Sequence, residues 1–378
     1  MLIGVPGEVK DHEFRVSVTP AGVREYLARG HQVLVQRSAG EGSGFADGEY
    51  AAAGAELVDS AAEVFGRAEM IVKVKEPVPA EYDLLRPEQV LFTYLHLAAN
   101  APLAHALVRN HVQAVAYETV QLENGILPLL TPMSEVAGRM SVQVGAHHLE
   151  KAHGGSGTLL AGIPGVPGAE VVVIGGGVVG ANAAQIALGM GANVAIVDRS
   201  LERLRQLDTL HGRVNTLASN SENVAAAVRR ADLVVGAVLL PGAKAPKIVS
   251  EEMVATMRPG SVVVDVAIDQ GGCIATARPT THSDPTYVVH GVVHYCVTNM
   301  PGAVPRTSTI GLSNATLPYG LALADYGLIE AISRDPELAR GVNVINGQVT
   351  HPGVAEALGM EHTPLLDATV GGVAVLSS

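Results

Sequence analysis

The stretch EVVVIGGGVVGANAAQIALGMGANVAIVD, residues 170–198, decides the fold. Its first five residues are rich in β-branched side chains and hold no turn former, which predicts a buried strand. Gly175, Gly177 and Gly180 follow in G-x-G-x-x-G spacing, and the next dozen residues have a helical composition. In that context the first glycine permits a tight turn and the second lets backbone approach a pyrophosphate. The third lets the helix pack on the strand, and the N–H groups at the start of the helix then face the phosphates. Asp198 ends the next strand, where a carboxylate accepts hydrogen bonds from ribose hydroxyls and repels a 2'-phosphate. Arg199 and Arg203 stand nearby and would attract such a phosphate, so the preference for NAD over NADP rests on Asp198. A glycine-rich turn without a ligand would need strand, helix and carboxylate to coincide by accident.

The same grammar extends both ways. Toward the C-terminus DLVVGAVL, SVVVDVA and VVHYCVTNM are apolar runs between helical patterns; toward the N-terminus so are LIGVP, QVLVQ, AEMIVKVK, VLFTYL and AVAYETV. Thr19 before Pro20 predicts a helix start, and Gly30 its stop. Strands alternating with helices predict an α/β chain with two Rossmann-like, doubly wound parallel-sheet domains joined by long helices. One such helix is expected from Ser134 to His153, before the glycine-rich HGGSGTLLAGIPGVPGAE, and a second within TSTIGLSNATLPYGLALADYGL. The expected division is a substrate (catalytic) domain of residues 1–130 plus 307–378 and an NAD-binding domain of residues 131–306. A chain of 378 residues has room for two cores.

Composition excludes other classes. A net charge of −12 without a basic run argues against nucleic acid. No apolar stretch reaches the roughly 18 residues of a membrane span. The N-terminus MLIGVPGEVKD lacks the pattern of an export signal, so a cytoplasmic location is expected. Cys273 and Cys296 fit no metal or redox motif and read as reduced core thiols. The 14 histidines show no clean ligand spacing, so no metal is expected.

Four charged residues end apolar runs: Arg15 in HEFRVSVTP, Lys75 in MIVKVKEP, His96 in FTYLHLA and Asp269 in VVVDVAIDQGG. In open α/β sheets ligands gather beyond the carboxyl ends of strands, where such residues meet. Each also has a bland alternative. Arg15 could be a solvated or ion-paired loop residue, and Lys75, two positions after Lys73, could guard an edge strand. His96 could be a core histidine bonded to a carbonyl, and Asp269 a turn residue bonding its own backbone.

The chain as a whole resembles the alanine dehydrogenase/transhydrogenase alpha family. The resemblance rests on GVPGEVKDHEFRVSVTPAGVREYLARG (4–30), VIGGGVVGANAAQIALGMGANVAIVD (173–198), KVKEP, YLHLA, TPMSEVAGRM, GAVLLPGAKAPKIVS, DVAIDQGG and NMPGAVPRTST, in family order over residues 3 to 330. It implies an NAD-dependent amino-acid dehydrogenase interconverting L-alanine with pyruvate and ammonia. Arg15 and Lys75 would hold the substrate, and His96 and Asp269 would move protons. Ser134, Val178, Val179, Asp198, Arg203 and Ser219 would line the dinucleotide. So would Val238, Leu239, Ile268, Arg278 and the run Val297, Thr298, Asn299, Met300. The family also implies a homohexamer. His12 departs from its usual Asn, Ser17 from Ala and Val179 from Ala, the last adding bulk beside the pyrophosphate. Two other readings remain: a transhydrogenase subunit with no small substrate of its own, and a non-catalytic NAD sensor. Discrimination among alanine, glycine, serine and 2-aminobutyrate depends on packing around Tyr94, Leu129 and Met133.

Overall fold

The computed structural model describes residues 1–211, 214–238 and 245–373. The chain divides into two compact units, Met1–Met133 with Val304–Ser378, and Ser134–Ala303.

The strands of the first unit run β1 (Leu2–Val5), β2 (Gln32–Gln36), β3 (Glu56–Val58), β4 (Met70–Val72), β5 (Val90–Thr93) and β6 (Gln113–Ala116). The second unit holds β7 (Glu170–Ile174), β8 (Asn193–Asp198), β9 (Asn215–Ala218), β10 (Leu233–Gly236), β11 (Val262–Asp265), β12 (Thr286–Val289) and β13 (Val292–Tyr295). The chain then returns for β14 (Val342–Ile345) and β15 (Gln348–Val349).

In the first sheet the order is β15-β14-β6-β5-β4-β1-β2-β3. Pairing is parallel from β3 to β6, while β14 runs antiparallel to β6 and to β15. The second sheet, β12-β13-β11-β10-β7-β8-β9, is parallel except for the edge strand β12. Strands covered by helices on both faces need apolar side chains at successive positions, which is why β4, β5, β10 and β11 read as continuous runs and are buried throughout. Chain order reverses at β1 in the first sheet and at β7 in the second, and at such reversals an open α/β sheet leaves a crevice beyond its carboxyl ends.

The two long helices differ in detail from the sequence expectation. The first is Thr131–His148, beginning one turn early at the Thr-Pro start signal, and Lys151–His153 form a separate 3₁₀ turn because Glu150 is extended. The second, Pro305–Arg334, is interrupted at Gly327, whose φ of 71° and ψ of 166° are not helical. Of the two, the first carries the chain from one unit into the other, and the second lies wholly within the first unit.

Candidate functional site

In the second unit the glycine loop is built as its spacing requires. Gly175 has φ of 102°, and a Cβ there would meet the Ala237 carbonyl at 2.6 Å. A Cβ at Gly180 would stand 1.8 Å from the Gly175 oxygen, so strand and helix approach this closely only over glycine. At Gly177 nothing lies within 4 Å of the Cβ position. The helix Val178–Gly189 starts there with no side-chain cap, leaving its first N–H groups to a ligand. Val178 is 41% exposed and Val179 is buried.

Asp198 lies at the end of β8. Its Oδ2 accepts from Gly176 N at 2.7 Å and its Oδ1 from Ser200 N at 2.8 Å, so the carboxylate braces the glycine turn and keeps lone pairs for ribose hydroxyls. Arg203 is committed elsewhere: its Nε donates to the Gly176 carbonyl at 2.6 Å and its Nη1 to Gln206 at 3.0 Å. Arg278 sits with its guanidinium carbon 4.0 Å from the Tyr287 ring centroid.

Most of the remaining candidates also gather at the carboxyl edge of this sheet. Ser219 follows β9 and donates its N–H to the Asp198 carbonyl; Val238 follows β10; Ile268 and Asp269 follow β11; Val297 to Met300 follow β13. Ser134 lies in the first turn of the helix Thr131–His148, and Leu239 falls outside the described residues. Asp269 does not end a strand: β11 stops at Asp265, and Asp269 is an exposed residue of the 3₁₀ turn Val266–Gln270. Asp265 builds that turn, accepting from Ala267 N at 3.1 Å and Ile274 N at 3.0 Å. Burial raises its carboxyl above the usual range against these bonds.

In the first unit Arg15, Lys75 and His96 follow β1, β4 and β5, which are neighbours at the reversal of strand order. Arg15 is 2% exposed and forks onto Glu13, its Nε donating to Oε1 at 2.6 Å and its Nη2 to Oε2, while Nη1 lies 3.2 Å from the Met133 sulfur. Burial disfavours the charge, but the Glu13 bonds and charge outweigh it and raise the pKa. The solvated-loop alternative is thereby excluded. The edge-strand alternative for Lys75 fails too, because β4 lies inside the sheet and Lys73 is fully buried between Glu81 at 2.9 Å and Glu8 at 3.5 Å. His96 is exposed, not a core histidine. It adopts the left-handed conformation at φ 49°, ψ 35°, and its ring is stacked 5.9 Å from Tyr94.

Three carboxylates that the sequence reading overlooked hold these residues by their main chains. Glu13 Oε1 accepts from Arg15 N at 3.2 Å, Glu8 from Val74 N at 2.6 Å and Lys75 N at 3.4 Å, and Glu118 from His96 N at 2.6 Å and Leu95 N at 3.2 Å. A fourth, Glu76, is buried. Burial would raise its carboxyl, but the charges of His96, Lys10 and Lys75 and a bond from Lys10 hold it below the ordinary range. Its Oε2 has no hydrogen-bond partner among the described residues. The Tyr94 hydroxyl donates to the Leu129 carbonyl at 2.6 Å, and Met133 meets the Arg15 guanidinium. Ser17 donates to the Val72 carbonyl at 2.6 Å, and His12 has φ of 52°, a conformation that Asn also tolerates.

Residues 4–137 match the alanine dehydrogenase/PNT N-terminal domain and residues 141–352 the corresponding C-terminal domain. The alanine dehydrogenase of Methanococcus maripaludis is 57% identical over 366 residues, covering 96% of this chain and 98% of that one. The chain belongs to the alanine dehydrogenase/PNT family. A solved L-alanine dehydrogenase superposes with a TM-score of 0.92 at 54% identity, covering 95% of this chain and 99% of that one. A transhydrogenase from Sinorhizobium meliloti gives 0.80 at 25% identity, over 93% and 99%. The cofactor of the alanine dehydrogenases is NAD, and the loop from Gly175 to Gly180 with Asp198 fits it.

Proposed function

We propose that this chain catalyses the NAD-dependent, reversible oxidative deamination of L-alanine to pyruvate and ammonia. The observation that carries the proposal is that Arg15, Lys75 and His96 lie in the segments that follow three adjacent strands, β1, β4 and β5, at the reversal point of one sheet, in a chain 57% identical to an alanine dehydrogenase. The first unit is the substrate domain and the second the dinucleotide domain. Gly175 to Gly180, Asp198 and the residues following β9, β10, β11 and β13 hold the cofactor. Bound NAD supplies the hydride acceptor.

The protein's own residues do the rest. Arg15 binds the substrate carboxylate, since a planar fork matches a carboxylate better than an ammonium does. Lys75 donates to the oxygen that develops into the pyruvate carbonyl, stabilising its negative charge. His96 takes the proton of the water that attacks the imine carbon and returns it to the departing ammonia. Asp269 orients the water or the amine. Exposure of His96 suits this work, because a proton acceptor must be reached by water. Glu76 faces Lys75 and His96 electrostatically, so its carboxylate stabilises the ammonium and the proton that His96 takes up.

The experiment is NADH oxidation with pyruvate and ammonia, alongside a panel of amino acids with NAD and NADP. Alanine and NAD are expected to be preferred. NAD binding without turnover of any amino acid would reject the proposal in favour of a sensor. The distance to the transhydrogenase, 25% identity against 57%, and the intact Arg15 and Lys75 favour a substrate pocket over a partner-bound hydride carrier. We assign the protein to the cytoplasm as a homohexamer. Two buried, unpaired thiols support a reducing compartment, and sedimentation equilibrium tests the assembly. No described helix is long and apolar enough to cross a membrane.

A further inference from the structure

At the end of the helix Thr131–His148 the sequence HHLEKAH turns back on itself. Three side chains meet there: His147, Glu150 and His153 each offer one ligand atom, all within 4.8 Å of one another. His147 Nδ1 is 3.6 Å from Glu150 Oε1, and His153 Nδ1 is 3.4 Å from Oε2 of the same carboxylate. Zinc binds imidazole nitrogen and carboxylate oxygen at about 2.0–2.2 Å in a tetrahedral shell, which puts neighbouring ligand atoms roughly 3.3–3.6 Å apart. Each imidazole nitrogen already lies at about that distance from one oxygen of the Glu150 carboxylate, and the three ligand atoms fall within 4.8 Å of one another.

The backbone that carries the three residues is fixed. Glu150 N donates to the His147 carbonyl, His153 N and Gly155 N to the Glu150 carbonyl, Gly157 N to the Leu149 carbonyl and Ser156 N to the Gly260 carbonyl. The two imidazoles lie with ring centroids 3.8 Å apart at 40°. His153 Nδ1 also lies 3.2 Å from the His147 carbonyl, a contact that ligation would exchange. Beside them, His148 is buried with an Nδ1 that has no hydrogen-bond partner among the described residues. Its ring is 5.2 and 5.9 Å from those of His147 and His153, so an unsatisfied polar atom borders the same cluster.

We propose that His147, Glu150 and His153 form a binding site for a divalent transition metal of the zinc class. Two imidazoles and one carboxylate suit zinc, cobalt or nickel over calcium or magnesium, which prefer all-oxygen shells. The remaining positions go to water, because the site is open: the three side chains are 53%, 60% and 36% exposed. The metal acts as a clamp, tying the last turn of the helix to the 3₁₀ turn Lys151–His153, and none of its three ligands is among the residues assigned to the reaction.

The test is equilibrium dialysis of the metal-stripped full chain against micromolar zinc, with cobalt absorption reporting the ligand field. One zinc per chain and a rise in unfolding temperature are expected. The His147→Ala/His153→Ala variant should bind at least a hundredfold more weakly, and Glu150→Gln about tenfold, with turnover of alanine unchanged in both. Equal zinc uptake by the parent and the double variant would show that other histidines bind it and overturns the proposal. No uptake by the parent overturns it as well. Glu150→Gln retains all the histidines, so it separates loss of the site from loss of fold.

Discussion

Replacing Glu118 by Gln tests the claim that a carboxylate sets the conformation of His96. In the structure Glu118 accepts from His96 N at 2.6 Å and from Leu95 N at 3.2 Å, while His96 stays at φ 49°. The left-handed conformation costs a non-glycine residue about 1–2 kcal/mol, so it persists only where its surroundings hold it. A hydrogen bond to a carboxylate contributes about 1.5–3 kcal/mol and a neutral one about 0.5–1.5 kcal/mol. The substitution keeps the shape and removes the charge, for a loss of roughly 1–1.5 kcal/mol at the short bond. If only the left-handed conformer places the imidazole on water, turnover falls about five- to thirteenfold. The KM for NAD should not move, because Glu118 belongs to the first unit and the glycine loop to the second. Steady-state kinetics with alanine and NAD varied separately measures both quantities. Wild-type turnover in Glu118→Gln would mean that the carboxylate does not position the imidazole, and an equal rise in both KM values would mean a general loss of structure.

Other substitutions probe the remaining assignments. His96→Ala should lower turnover by at least roughly a hundredfold with NAD binding intact by calorimetry; near-normal turnover removes it from proton transfer. Arg15→Lys should raise the KM for alanine and pyruvate by at least roughly tenfold, since one charge-assisted bond is lost; an unchanged KM would place the carboxylate elsewhere. Gly180→Ala drives a Cβ to 1.8 Å from the Gly175 oxygen and should weaken NADH binding by at least roughly tenfold in a fluorescence titration, with native binding refuting the close approach. Glu76 has a lowered carboxyl pKa in the folded protein, so its contribution to stability is complete above its unfolded pKa and disappears as pH falls through the lower folded one. The unfolding-temperature gap between wild type and Glu76→Gln should therefore narrow below about pH 4.5; a gap independent of pH would contradict the shift.

Sequence alone determined the alternation of strands and helices, the glycine loop and the carboxylate at Asp198. These depend on local chemistry: a β-branched run, a helix start and glycines at fixed offsets read the same in any context. It also picked out Arg15, Lys75 and His96, because a charge at the end of an apolar run is legible without knowing where the run packs. Only the tertiary structure decided which carboxylates brace them. Glu8 reaches the main chain of Lys75 and Glu118 that of His96 across 67 and 22 positions, and no local pattern announces such a pairing. Glu13 lies two residues before Arg15, yet its fork onto the guanidinium becomes compulsory only once burial removes the water that would otherwise solvate both charges. Asp269 does lie beyond β11, but only the tertiary structure shows that the strand stops at Asp265 and that a 3₁₀ turn carries Asp269. A sequence fixes what each segment prefers, whereas the partners of a buried charge are chosen when distant segments exclude water together.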